Sequence, residues 1–264
     1  MFETKYLRRR DLVHVIELMN ELGHQIDHLI HEEGYLEALR YALELKEIGQ
    51  SYFHTKHIYR AFISVRVGFL YFTLGLWQES HSELKKAHKI FSTYESEYPL
   101  DLFEVNHLLY KLALKIRDSE KIIQYGETLL LMESINFKLQ TRVYISLARE
   151  YLFSKFKNLK LVKKYLLKAK RNLETNNLIE GEDYADVLLI SAYYFHELKN
   201  SQMALKFIEE LQGVIYQEGL DERKAYSLFR SIDHLKDEIE NGKRPAFKPE
   251  NLEFMLYMDS EMVH

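Results

Sequence analysis

One group of residues returns about every forty positions, and it constrains the fold more than any other feature of the chain. Ala38, Ser80, Ile122, Val162 and Ala204 stand 42, 42, 40 and 42 residues apart. Four positions after each come Ala42, Leu84, Gly126, Leu166 and Ile208, and three further on come Leu45, Ala87, Leu129, Ala169 and Leu211. Offsets of four and seven fall on one face of a helix, so the same helical stripe is written five times. Repetition at this period predicts helical hairpins that stack and bury their apolar faces on one another. The expected fold is all-α, a right-handed α-solenoid of about five hairpins closed by a C-terminal capping helix.

Composition supports long helices. Only three prolines interrupt 264 residues, and an interior proline costs a helix roughly 3 kcal/mol. A hydrophobic fraction of 47% excludes a disordered chain, while 29% charged residues suits helices with wet outer faces. The net charge of −4 argues against a chain-wide nucleic-acid footprint, so no direct nucleic-acid binding is expected. With no cysteine, disulfides and thiolate zinc sites are excluded. The basic start around Arg8, Arg9 and Arg10 lacks the apolar stretch of a secretory signal. The longest apolar run, Val67 to Trp77, is about half the ~20 residues that span a bilayer. A cytoplasmic protein without membrane attachment is expected.

Helices are predicted at 11–31, 35–49, 55–74, 77–94, 101–116, 119–133, 137–155, 159–174, 182–198, 201–217, 221–240 and 250–262. Gly34 and Gly75 stand where tight turns favour positive φ, and Tyr98-Pro99 marks a break between hairpins. Asp118, Asn200 and Asp221 are placed to cap the helices after them. The repeats occupy 1–240 and a linker with two prolines 241–250; residues 251–264 form a capping or partner helix with an apolar face of Leu252, Met255, Leu256 and Met258. Such a face could also carry a homodimer contact.

The stretch Ala61 to Ser92 resembles a tetratricopeptide repeat: Val67-Gly68, Tyr71, Gly75, Trp77, Leu84 and Ala87 stand at its characteristic places. Gly68 and Ala87 mark crossings where two backbones must approach closely. The longer spacing, with HLLYKLALKI and VYISLAREYLFSKFKNL, is similar to the helical domains of peptide-pheromone receptors of Gram-positive bacteria and their phages, the regulator-aspartate-phosphatase and arbitrium-receptor type. In that group a helix-turn-helix precedes the repeats, whereas about ten residues precede the first helix here. The resemblance sets Leu112 and Ile116 where family asparagines grip a peptide backbone, and Lys138 at a peptide-binding arginine.

Tetratricopeptide arrays line a concave surface with the first helix of each pair. The resemblance therefore implies His24, Gln25, His28, His31 and Glu32 there, then Phe62, Arg66, Phe69 and Phe72. His107, Lys111 and Lys115 follow, then Arg142, Arg149 and Phe153, and finally Asp186, Tyr193, His196 and Glu197. The middle of this strip is basic and aromatic, which suits a short peptide or an acidic protein segment. Candidate ligand contacts are Arg66, Phe69, His107, Lys111, Lys115, Lys138, Arg142, Arg149, Tyr193 and His196.

His24, His28 and His31 share one helical face with Asp27 and Glu32 near, a spacing that could hold a divalent cation. His54 and His57 could complete such a site, but no HExxH supplies a base, and a solvated polar face is the better reading of the cluster, so no metal is expected. No glycine-rich phosphate loop or Gly-x-Ser-x-Gly elbow is present. The sequence therefore predicts a binding module without a cofactor or catalysis, a ligand-sensing receptor or else a constitutive scaffold between proteins.

Overall fold

A computed structural model of the protein describes residues 9–216 and 220–241. The capping or partner helix at 251–264, the homodimer contact assigned to it, and the linker beyond Asn241 lie outside the described residues. All regular elements among the described residues are α-helices. They are α1 (Arg9–His31), α2 (Tyr35–Tyr52), α3 (Ile58–Thr73), α4 (Trp77–Phe91), α5 (Pro99–Ile116), α6 (Ser119–Leu129), α7 (Phe137–Phe153), α8 (Leu159–Thr175), α9 (Glu182–Glu197), α10 (Ser201–Tyr216) and α11 (Glu222–Asn241). The expected repeat is present as this alternation. Every residue of the recurring stripe is buried, and each set lies on the second helix of a pair: α2, α4, α6, α8 or α10.

The chain divides into two compact units, one through Lys121 and one from Ile122. In the first, Leu22 and Ile26 of α1, Ala38, Ala42 and Leu45 of α2, and Ile63, Val67 and Leu70 of α3 share one core. The crossing of α3 and α4 is close because its contact residues are small. The Ser80 hydroxyl donates to the Gly68 carbonyl at 2.8 Å, and a Cβ on Gly68 would stand 2.8 Å from Leu84 Cγ. Glu83 is a buried carboxylate on α4. It accepts from Lys46 at 2.9 Å, Lys86 at 2.6 Å and Ser64 at 3.3 Å. Burial opposes its ionisation, but the two lysines together hold its carboxyl below the usual range.

In the second unit, tyrosines join the helices. Tyr151 of α7 and Tyr165 of α8 both donate to Glu127 Oε1, at 2.9 and 3.0 Å, and their rings stack. Tyr184 of α9 donates to Glu210 of α10 at 2.5 Å.

The turns show how local chemistry sets the pairing. Gly34, Leu76, Asp118, Leu178 and Asn200 each donate their N–H to the carbonyl five residues back, at 2.8 to 3.0 Å. The residue before each is left-handed: Glu33, Gly75, Arg117, Asn177 and Lys199. This is the Schellman stop, which satisfies carbonyls left open at a helix end. The expectation of positive φ holds at Gly75 and fails at Gly34, where Glu33 takes the left-handed place and Gly34 has φ −77. Gly34 answers a space constraint instead, because a Cβ there would meet the Leu29 side chain and carbonyl at 3.4 Å. Asp118, Asn200 and Asp221 accept from the N–H groups that open α6, α10 and α11, as expected. Pro99 begins α5 at its first turn, where its missing N–H costs nothing.

Candidate functional site

The first helices of the pairs carry the implied binding residues, and the structure places them unit by unit. In the first unit an open cleft of about 200 Å³ runs along α1 and α3. Its apolar lining is Ile16, Met19, Leu45, Phe53, Phe62 and Ile63, and its polar groups are Asn20, His24, Asp27 and Arg66. Those of α1 recur three or four residues apart, so one helical face supplies them all. The Arg66 guanidinium donates to both Asp27 oxygens, Nε at 3.2 Å and Nη2 at 3.0 Å, and both side chains stay open to water. At the edge of the cleft the rings of Phe53, His57 and Tyr59 cluster, with centroids 4.5 to 5.4 Å apart and His57 stacked on Tyr59. His57 Nδ1 accepts from the Tyr59 N–H at 3.3 Å and so caps α3. Burial and then the neighbouring His54 lower the His57 pKa, which favours the neutral ring that a cap requires.

Further along this unit, Phe69 is half-buried against the shared core. Phe72 is buried and edge-on to Trp77, so it packs the hairpin and leaves the implied ligand surface. His107 on α5 is not one of the strip's cations. Burial, with Lys111 four residues on, pushes its imidazole down to about 4. Glu104 is shifted the other way by burial and by Asp101, with Arg66 pulling against both. Lys111 is half-buried and Lys115 is exposed.

In the second unit Arg142, Arg149, Asp186 and His196 each lie beside an ionisable partner, on another helix for all but Arg149. Arg142 of α7 is 3.5 Å from Asp183 of α9. Lys224 of α11 donates to both oxygens of buried Asp186 on α9, at 2.7 and 2.9 Å. Burial pushes the Asp186 carboxyl up, and Lys224 pulls it back toward the charged form. Arg149 is mostly covered, with Nε 3.7 Å from Glu150. His196 lies 3.4 Å from Glu238 of α11. Lys138 is exposed at the start of α7.

Tyr193 is a correction. It is 5% exposed, edge-on to Phe153, and its hydroxyl donates to the Ser231 carbonyl at 3.4 Å. It fails as a ligand contact because α11 packs on α9 and covers the face the fifth pair would otherwise present. The histidines of α1 do not assemble either. His24 borders the cleft, His28 turns to Glu32 at 3.7 Å, and no three His, Asp or Glu side chains among the described residues converge to hold a metal.

Sequence reasoning named Asp27 and Asp186 but paired neither, and it missed Asp183 and Lys224. Asp27–Arg66, Arg142–Asp183 and Asp186–Lys224 are separated by 39, 41 and 38 residues, one repeat each. Looking for opposite charges one repeat apart would have found the pairs. With eleven helices among the described residues, Schellman turns at five of their junctions and a buried stripe on each second helix of a pair, the architecture can be set beside known structures. The fold is RapI-like. The crystal structure of the apo form of RapI superposes with a TM-score of 0.61 at 14% identity, covering 84% of this chain and 77% of RapI. No family model and no curated protein matches the sequence. No helix among the described residues is long and apolar enough to cross a membrane.

Proposed function

We propose that this protein is a regulatory receptor that binds a short peptide or an extended acidic protein segment along its first helices, without chemistry on what it binds. The observation that carries this reading is the cleft of α1 and α3, an apolar floor rimmed by the water-accessible Arg66–Asp27 pair. A volume of about 200 Å³ is smaller than the roughly 300 Å³ at which small-molecule sites begin, and it suits one anchoring side chain of a longer ligand. The RapI-like architecture supports a helical-repeat regulator over an enzyme.

The ion pairs suggest how binding becomes a signal. Asp27–Arg66 joins α1 to α3, and Arg142–Asp183 joins α7 to α9. A ligand carboxylate that takes Arg66 or Arg142 competes with the internal aspartate and loosens that link. Binding then shifts the protein toward the arrangement in which the link is open, by as much as the ligand prefers it. A constitutive scaffold would use the same faces without such competition.

Selection of peptides from a random library on the intact protein, followed by titration calorimetry, tests the proposal. A charge-assisted hydrogen bond is worth about 1.5–3 kcal/mol, so Arg66→Glu should weaken selected peptides at least roughly tenfold. Unchanged affinity would remove the cleft as the site. A scattering radius unmoved by saturating peptide would favour the scaffold.

A further inference from the structure

The strongest charge run in the chain lies away from these faces. Between Glu150 and Glu174 there are eight lysines and arginines and no acid. The run is carried mainly by α8, whose apolar face (Val162, Tyr165, Leu166, Ala169 and Leu173) is buried in its own unit. Its opposite face exposes Lys160, Lys163, Lys164, Lys168 and Arg171. Lys160, Lys163 and Arg171 make no ion pair with any described residue, and Lys164 and Lys168 lie over the rings of Tyr165 and Tyr144 at 5.2 and 5.3 Å. Lys160, Lys164, Lys168 and Arg171 step by four, four and three, so they form one straight row about 16 Å long.

We propose that this exposed row of α8 is a second binding surface, and that it takes the phosphate backbone of duplex nucleic acid. Three features select this partner. A rigid row of that length faces about five phosphates of one strand, which recur every ~3.4 Å along the axis. Lysine is depleted from protein–protein interfaces, where arginine forks meet carboxylates, whereas it serves well as a point charge on phosphate. The main apolar face of α8 is buried in the protein, which leaves Leu167 as its one exposed large apolar side chain, too little to anchor the helix in a lipid surface. The two nearby rings are covered by lysines, so no aromatic platform reads bases and the binding is independent of sequence. Because the whole chain is acidic, the contact is confined to this row and the expectation of no nucleic-acid binding is revised there alone.

The test is fluorescence anisotropy of the full chain with a mixed-sequence DNA duplex of about 20 base pairs. Five phosphate contacts predict a log–log salt slope near −4.5, which weakens binding about 500-fold between roughly 50 and 200 mM salt. Lys164→Gln with Lys168→Gln should reduce the slope by about 2, while Lys85→Gln with Lys206→Gln should leave it unchanged. All four lysines are exposed, so folding is preserved, and circular dichroism checks it. Absence of binding at about 50 mM salt, a slope unmoved by the α8 pair, or tighter binding to polyglutamate or to phosphatidylserine vesicles than to duplex would each overturn the proposal.

Discussion

His107 makes the structure answerable to a simple experiment. The imidazole sits on α5 with Phe103 one turn before it, ring centroids 6.1 Å apart, and Lys111 one turn after. Burial, and secondarily Lys111, lowers its pKa from 6.5 to about 4. The unfolded chain binds a proton at this residue below pH 6.5, while the folded chain does so only near 4. Between those values the unfolded state holds more protons, so stability must rise with pH and fall on acidification. Each unit is worth about 1.4 kcal/mol, and by pH 5 the loss from this group is about 2 kcal/mol relative to pH 7. The variant His107→Gln removes the titration and keeps a polar side chain. Urea melts of both proteins near pH 7 and near pH 5 should show the parent losing about 2 kcal/mol more than the variant. The other histidines lowered by burial, His57, His81 and His88, are common to both proteins and cancel. A proton NMR titration gives the same quantity directly, with His107 moving only near pH 4. Equal acid sensitivity in the two proteins, or titration near 6.5, would refute the buried, neutral ring.

Gly68→Ala should cost about 1–3 kcal/mol by forcing the α3–α4 crossing apart, and Leu84→Ala in the same chain should recover part of the strain; additive melting losses would deny the contact. Lys224→Met leaves the Asp186 carboxylate buried without its cation and should cost about 3–5 kcal/mol. Hydrogen exchange should then speed in α11 before α7 or α8, and uniform protection would argue against that link. Lys199→Gly relieves a left-handed conformation that costs an L-residue roughly 1–2 kcal/mol, so after the added chain entropy of glycine it should raise stability by up to about 1 kcal/mol; a lower melting temperature would contradict the turn geometry.

What was legible in advance follows a simple division. A stripe such as Ala38, Ala42 and Leu45 depends only on the periodicity of one helix, and all fifteen residues of this kind are buried. Caps at Asp118, Asn200 and Asp221 act over two or three residues and were equally readable. The candidate site was legible as a face and not as a set of free charges. Arg66 and Arg142 lie on the first helices as the resemblance implied, but their partners come from other helices.

By itself, then, the sequence determined the all-α fold class, the period of about forty residues, and which stripe of each second helix meets its neighbours. Those properties follow from spacing along a helix, where side chains three and four apart must share a face. Only tertiary structure decided that Arg66 is bound to Asp27, that His107 is neutral and that Tyr193 lies beneath α11. Each depends on what another element brings within a few ångströms, and electrostatics and burial respond to that distance, whatever the separation along the chain.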